Sequence, residues 1–232
     1  MKRFFFCILS LVLLVGCQGQ DVSHFWDTHS IDDADIQAAE DQFAIFAEKA
    51  VAAPEADALT AMDGLFDHLL RDTVGYYIYS DWMDAAFYNL LSPCRNAPLY
   101  SKAVERMVTD GILNASEYGP FLQRRDWIQY NRQGEQATVP GISSFDERTL
   151  VLVLDLGCSS CRQALEKLNS DSRWTGLRRM AVCCGYGPRP DVPGWEYLFP
   201  EDASAIFDPR LTPIFFVVAP GGKVESPYAL AL

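Results

Sequence analysis

The sequence predicts an all-helical N-terminal region followed by a smaller region of α+β or α/β class, and three observations support this. Apolar residues recur at three- and four-residue spacing from about 31 to 134, which is typical of amphipathic helices. The pair Pro140-Gly141 then interrupts the chain. The near-continuous apolar run Leu150–Leu156 follows, and it is typical of a strand buried on both faces.

Helices account for most of the first region, which we place at 21–136. Ile36–Ala50 and Leu59–Leu70 carry apolar residues at helical spacing, and Pro54 separates them. Three further helices are predicted at 76–91, 99–113 and 116–132. The segment before them contains Phe25-Trp26, and we expect both rings to dock against the helices.

The second region, which we place at 138–232, alternates short apolar strands with one helix. After the strand Leu150–Leu156, the segment Arg162–Asn169 has its apolar residues on one side, as an amphipathic helix does. Further strands are predicted at Met180–Cys184 and Ile214–Val218, and Gly221-Gly222 is expected to turn the last one into a hairpin with Lys223–Glu225. This order predicts one layered unit built on a small sheet.

The first 17 residues differ in character from the rest of the chain. Lys2 and Arg3 precede the apolar run Phe4–Val15, which fits a secretory signal peptide and is too short to span a bilayer comfortably. The tetrapeptide Leu14–Cys17 resembles the lipobox of bacterial lipoproteins. That resemblance implies cleavage before Cys17, a lipid on Cys17, and a membrane-anchored protein of the cell envelope that faces the periplasm or the cell surface. The alternative is a plain signal peptide that is cut near Gln20.

Composition and charge exclude some classes of partner. The formal net charge is −12 and its acids are scattered, so the chain offers no basic surface to a nucleic acid. The three histidines, His24, His29 and His68, all fall in the helical region. None is placed to serve a cysteine protease, and we expect neither a metal nor a cofactor.

The cysteines point to exchange chemistry rather than to a structural framework. Of the seven, Cys7 would leave with the signal peptide and Cys17 would carry the lipid. The remaining five are Cys94, Cys158, Cys161, Cys183 and Cys184. An odd number argues against a simple set of disulfides. Outside the cytosol, a C-x-x-C pair must be held oxidised or actively kept reduced.

Two motifs in the second region resemble motifs at the same places in proteins with the thioredoxin fold. Cys158 and Cys161 form a C-x-x-C motif where the first strand passes into a helix, and Thr212-Pro213 stands directly before the strand Ile214–Val218. In thioredoxin-like proteins a cis-proline occupies that second place and faces the cysteine pair. The resemblance covers about 138–228, and it implies that Thr212 and Pro213 shape a substrate groove beside the sulfur atoms.

Short motifs in the helical region extend this resemblance. They are Phe25–Asp27, Ser92–Asn96, Leu99-Tyr100 and Tyr130–Arg132. They are similar to the N-terminal helical domain of unknown function that precedes a thioredoxin-like domain in a family of bacterial lipoproteins. The resemblance implies an envelope thiol–disulfide oxidoreductase acting on protein thiols or disulfides, and it supplies no specific substrate.

The second region also departs from the thioredoxin pattern. Ser159-Ser160 stands between the cysteines in place of Gly-Pro, and no Trp precedes Cys158. Leu152 occupies the place of a buried acid. We expect no last helix of the fold after the hairpin, and we expect the helical region to cover the face of the sheet that this helix would otherwise cover.

The attacking species in disulfide exchange is a thiolate, so Cys158 can act as the nucleophile only if its pKa is lowered. A place at a helix N-terminus favours the anion, and so does Arg162, whereas Asp155 opposes it. Cys161 would act as the resolving thiol. Whether the pair reduces, oxidises or isomerises is left open.

Other interpretations of the cysteines remain. Cys158 and Cys161 could form an inert local disulfide. Such a disulfide would stabilise the fold little, because the loop that it closes is short. The chain would then be a membrane-anchored binding or assembly module without redox chemistry. Cys183 and Cys184 are adjacent on a strand and should point to opposite faces as small apolar residues.

Overall fold

The computed structural model describes residues 22–29 and 35–230. The predicted signal peptide and lipid site at 1–17 lie outside these residues. No helix within the described ranges is long and apolar enough to cross a membrane.

The first region is helical, as predicted from its periodicity. We label its helices α1 to α6, and their bounds are Phe25–Thr28, Ile36–Ala52, Glu55–Leu69, Thr73–Met83, Ala97–Thr109 and Ala115–Ile128. A π-helical turn, Asp84–Tyr88, continues α4, so the predicted helix 76–91 is interrupted. Asp35, Asp72 and Asn96 cap three of these helices by accepting backbone N–H groups.

Aromatic side chains form the core of this helical half, which we define as the described residues up to Gln133. Phe25 and Trp26 of α1 are buried, and they pack against Phe46 of α2. The ring of Phe43 meets that of Tyr79 edge to face, with centroids 5.7 Å apart. The short α1 is therefore held by aromatic contacts with longer helices, and the docking expected for Phe25-Trp26 is confirmed.

A five-stranded mixed sheet forms the second region, and the predicted fold class is confirmed. Its strands β1 to β5 are Thr149–Asp155, Arg178–Cys184, Glu196–Leu198, Ile214–Val218 and Val224–Leu230. Their order in the sheet is β3-β2-β1-β4-β5, and β1, β2 and β3 run parallel, whereas β4 and β5 are antiparallel to their neighbours. The predicted hairpin is present, and β5 is longer than expected. β3 was not predicted.

One face of the sheet is covered by helix α7, Ser159–Ser170. Alternate side chains of the central strand, including Leu152 and Leu154, pack on this face against Leu165 and Leu168 of α7. The remaining helix, α8, is the short segment Ala203–Ile206 on the other face.

The cover of the second face differs from the expectation. Val151 and Val153 of β1 pack there in a cluster with Val139, Phe145 and Phe207, all from the sheet half, which we define as residues 134–230. Leu90 is the residue of the helical half that packs against this cluster. The prediction that the helical half covers this face is therefore wrong for most of it, because α8 and the segment before β1 fill the space.

Polar contacts join the two halves around α8. Trp127 Nε1 donates to the Ser204 carbonyl at 2.8 Å, and the Tyr88 hydroxyl donates to Asp208 Oδ2 at 2.7 Å. Asp208 is 3% exposed and also accepts bonds from the Arg210 side chain. Burial alone would raise the pKa of Asp208, but the bonds from Arg210 and Tyr88 hold it below its usual 3.8.

We predict that Asp208→Asn lowers the free energy of unfolding at pH 7 by about 1–3 kcal/mol, because Arg210 and Tyr88 lose a buried charged acceptor. The folded pKa is depressed, so this stabilisation is present above the ordinary pKa of 3.8 and is lost as the pH falls through the folded pKa. Urea unfolding of both proteins across pH measures the difference.

Asp202→Asn is the matched control, since Asp202 is exposed and its side chain makes no cap bond with α8. It should change the free energy of unfolding by less than about 0.5 kcal/mol. Equal stability of Asp208→Asn and the wild type at pH 7 would show that the contact does not join the halves.

Candidate functional site

The two cysteines of the C-x-x-C motif lie where the central strand passes into α7. β1 ends at Asp155, and α7 begins at Ser159 with Cys158 as its N-cap residue. Cys158 is half-buried, whereas Cys161, in the first turn of the helix, is 1% exposed. Both thiols are free. The same motif therefore holds one accessible sulfur and one enclosed sulfur.

Hydrogen bonds converge on the sulfur of Cys158. The backbone N–H of Cys161 donates to Cys158 Sγ at 3.3 Å, and the Ser160 hydroxyl lies 2.9 Å from the same atom. The pKa of Cys158 is held below its ordinary 9.0, first by the bond with the Cys161 side chain and then by that with Ser160. These contacts favour the thiolate of Cys158.

Cys161 has the opposite character. Burial raises its pKa to about 11, and the bond with Cys158 adds to this. The Asp155 backbone N–H lies 3.4 Å from Cys161 Sγ, and this bond and a contact with the Thr212 side chain lower the pKa to a smaller extent. At neutral pH Cys161 is therefore a protonated thiol beside a more acidic one.

Thr212 and Pro213 lie next to the cysteine pair, directly before β4. The peptide bond between them is cis. The Thr212 hydroxyl donates to the Pro209 carbonyl at 2.7 Å, and its side chain contacts Cys161. Thr212 is half-buried and Pro213 is buried. The structure therefore brings Thr212-Pro213 together with the cysteines.

Asp155 and Arg162 both line the cleft beside Cys158, but neither is a leading cause of its lowered pKa. The Asp155 carboxylate accepts the Gly157 N–H at 2.6 Å. It also lies against Gly185, where a Cβ would come within 2.9 Å of Oδ2. Arg162 is exposed on α7. The sequence predicts that the helix N-terminus and Arg162 favour the thiolate and that Asp155 opposes it. The leading causes are instead hydrogen bonds with the Cys161 side chain and Ser160, and the Cys161 backbone N–H contributes less.

The cleft beside the cysteines is small. Pro188 and Pro190 are among its lining residues, and its volume of about 20 Å³ has room for one water molecule. The sequence offers the loop 185–200, which contains both prolines, as one possible rim over the cysteine pair, whereas it gives no role to Ser160, although Ser160 lies between the cysteines. A cleft of this size excludes an enclosed small-molecule substrate, so a reacting disulfide must approach Cys158 from the surface.

The loop that follows β2 is held by its own contacts. Tyr197 exchanges hydrogen bonds with the backbone of Val192, at 3.0 and 3.1 Å. Trp195 is buried in the core beneath α7. Tyr186, by contrast, is 98% exposed on the same loop as the cleft prolines. Tyr197 and Trp195 therefore hold the loop in place, whereas Tyr186 is exposed to solvent.

The other described cysteines are enclosed. Cys183 packs on the α7 face of the sheet and Cys184 on the opposite face, as their adjacency predicted. Burial raises the pKa of Cys183 to about 12 and that of Cys184 to about 11. Burial also raises the pKa of Cys94. Within the part of the chain that the structure describes, no group of three or more His, Cys, Asp or Glu residues is arranged to hold a metal.

The structure is similar to the crystal structure of a thioredoxin-like protein from Bacteroides caccae. The TM-score is 0.67, and the match covers 100% of this chain and 96% of that chain at 18% sequence identity. This chain has a thioredoxin-like fold. No family model and no curated protein matches the sequence.

We predict that Ser160→Ala raises the pKa of Cys158, because the thiolate loses a hydrogen-bond donor. The rate of Cys158 alkylation by iodoacetamide at pH 7 should fall about two- to tenfold, the range for the loss of one net hydrogen bond. Above the ordinary thiol pKa of 9.0 the two rates should converge, since both sulfurs are then ionised. Mass spectrometry of the alkylated peptide gives the rate at each pH.

Ser159→Ala is the matched control, because Ser159 is exposed and is not among the leading causes of the Cys158 pKa shift. Its alkylation profile should follow the wild type within about twofold. A profile unchanged in Ser160→Ala would mean that the hydroxyl does not stabilise the thiolate.

Proposed function

We propose that this protein is a lipid-anchored thiol–disulfide oxidoreductase of the cell envelope, with Cys158 as nucleophile and Cys161 as resolving thiol. The observation that carries the proposal is the contrast between the two sulfurs. Cys158 is accessible and its pKa is lowered, whereas Cys161 is buried one helical turn away with a pKa of about 11. This contrast matches the two roles that disulfide exchange requires.

In the first step the Cys158 thiolate attacks one sulfur of a substrate disulfide. A bond forms between Cys158 and that sulfur, the substrate disulfide breaks, and the second substrate sulfur leaves as a thiolate. The Cys161 and Ser160 groups that favour the Cys158 thiolate increase the fraction of protein ready to react at neutral pH.

In the second step Cys161 resolves the mixed disulfide. Its proton passes to the departed thiolate or to water, and the resulting Cys161 thiolate attacks Cys158 Sγ and expels the first substrate sulfur. The substrate has then gained two electrons, and Cys158 and Cys161 have lost two as a disulfide. A dithiol donor must reduce the pair before another cycle, and the reverse sequence oxidises a substrate dithiol.

The surroundings of Cys158 favour protein substrates. The cleft beside it holds about one water molecule, so it cannot enclose a small disulfide. Thr212 contacts Cys161, and the loop that carries the exposed Tyr186 also supplies Pro188 and Pro190 to the cleft. A flexible segment of a partner protein could lie across this surface with its disulfide over Cys158.

The envelope location rests on the sequence of the first 17 residues. A positively charged start, a short apolar run and the tetrapeptide Leu14–Cys17 support export and lipid attachment at Cys17. Outside the cytosol, protein disulfides form and persist, so an exported exchange protein has substrates there.

Removal of the resolving thiol should trap the intermediate. With Cys161→Ser, Cys158 can form a mixed disulfide with a model protein disulfide, but nothing expels the substrate. We expect at least about tenfold more covalent adduct than with the wild type on a non-reducing gel, with mass spectrometry locating the bond at Cys158.

Cys158→Ser should give no adduct, and Cys94→Ser should leave trapping unchanged because that thiol is buried with a raised pKa. If Cys161→Ser also fails to form an adduct, exchange is the wrong reaction. The chain would then be a binding module with a thioredoxin-like fold.

Lipid attachment is tested separately at Cys17. In bacterial cells the wild type should be recovered from the membrane fraction with an acylated N-terminal peptide. Cys17→Ser should lose the acyl mass and leave the membrane fraction, whereas Cys7→Ser should behave as the wild type. An unmodified wild-type N-terminus near Gln20 would support the plain signal peptide instead.

A further inference from the structure

A cavity of about 180 Å³ lies between the two halves of the molecule, among motifs that redox chemistry does not use. Arg95 and Ala97 border it from the segment that begins α5, and Ile128 and Asn131 from the end of α6 and the turn after it. Tyr228 of β5 completes the lining from the sheet half. Two of the helical motifs, Ser92–Asn96 and Tyr130–Arg132, thus converge on one place.

Arg95 brings a positive charge to this cavity without a carboxylate partner. Its guanidinium donates to the Tyr88 carbonyl and lies over the Tyr88 ring, 5.3 Å from the centroid. Among residues 22–29 and 35–230, no carboxylate lies within ion-pair distance of it, whereas Arg106 contacts three aspartates. Burial lowers the pKa of Arg95. A shielded charge without a counter-ion is costly, and an anion in the cavity would offset that cost.

Tyr228 offers a second donor to the same space. Its hydroxyl oxygen accepts the Asn131 Nδ2 N–H at 2.8 Å. The Asn131 amide is oriented by Thr138, whose backbone N–H donates to Asn131 Oδ1 at 2.7 Å. The Tyr228 O–H proton is therefore free to point elsewhere, and no described residue accepts it. Arg95 lies close enough to lower the pKa of Tyr228, although burial raises it overall.

The other residues that line the cavity limit the charge and polarity of a ligand that could bind there. Arg132 also borders the cavity, but Glu135 neutralises it through a bond from Arg132 Nε of 3.0 Å. Arg95 therefore supplies the one uncompensated charge among the described lining residues. Ala97 and Ile128 are buried and apolar, so they suit the carbon part of a ligand rather than a fully charged one.

We propose that this cavity binds a small organic carboxylate, with the Arg95 guanidinium and the Tyr228 hydroxyl as donors to the carboxylate oxygens. The planar guanidinium matches a planar carboxylate, and its single charge balances a single negative charge. The carbon part of the ligand lies against Ala97 and Ile128. Such a ligand contacts both halves at once, and its binding does not depend on the cysteines.

Isothermal titration of the purified protein with propionate or benzoate at pH 7 tests this site. At least one acid should bind saturably, and its neutral amide, propionamide or benzamide, should bind at least about tenfold more weakly because it carries no charge for Arg95. Inorganic phosphate should also bind more weakly. Equal binding of acid and amide, tighter binding of phosphate, or no saturable binding of either acid would each overturn the proposal.

Variants locate the site. Arg95→Gln should weaken binding of the acid at least about tenfold, and Tyr228→Phe about three- to tenfold, since the first removes a charged donor and the second a neutral one. Arg173→Gln is the matched control, because Arg173 is exposed, pairs with Asp171 and does not line the cavity, and it should change the affinity less than about twofold. Equal losses in Arg173→Gln and Arg95→Gln would contradict the assignment.

Circular dichroism and thermal unfolding establish that each variant folds. If Arg95→Gln does not fold, Tyr228→Phe decides the question, because it removes one hydroxyl and keeps the ring that packs against Phe216. An unchanged affinity in folded Tyr228→Phe would then overturn the proposal.

Discussion

The hydrogen bond from the Cys161 amide to the Cys158 sulfur is one of several contacts that lower the pKa of Cys158, and it links the cysteine pair to the fold. That amide points at the sulfur because α7 begins directly after Cys158. The helix in turn is held by Leu165 and Leu168, which pack against the central strand. A change that moved α7 by a fraction of a turn would remove the donor from the sulfur, even with both cysteines intact. The hydrogen bond at the Cys158 sulfur therefore depends on how α7 packs against β1.

The difference between the two thiols follows from burial rather than from neighbouring charges. Cys161 is enclosed between α7 and the sheet, which keeps it protonated, whereas Cys158 is half-buried and receives hydrogen bonds. Leu152 fills the place where thioredoxins keep a buried acid, and it is fully buried here. The proposed second step must therefore use another proton acceptor, which is the thiolate released in the first step or water.

Continuous apolar runs made part of the fold predictable. β1 was expected at Leu150–Leu156 and lies at Thr149–Asp155, and β4 lies where it was expected, because a strand buried on both faces leaves a strong pattern. β3 has three residues after a proline-rich stretch, too few for such a pattern. α8 has four residues, so its cover of the second face gave no periodic signal. The hydrogen bond from Ser160 to Cys158 depends on a side-chain rotamer, which the sequence does not specify. The cavity at Arg95 depends on how the two halves pack against each other, so it could not be predicted from either half alone.

Thiol–disulfide exchange requires the Cys158–Cys161 pair to cycle between dithiol and disulfide. A redox titration of the protein lacking residues 1–17, with the thiols counted at each potential, measures this directly. We expect a reversible two-electron transition with a midpoint between about −270 and −120 mV, the range of exchange proteins. A pair that stays reduced at every potential, or a disulfide that resists strong reductants, would contradict the proposed function.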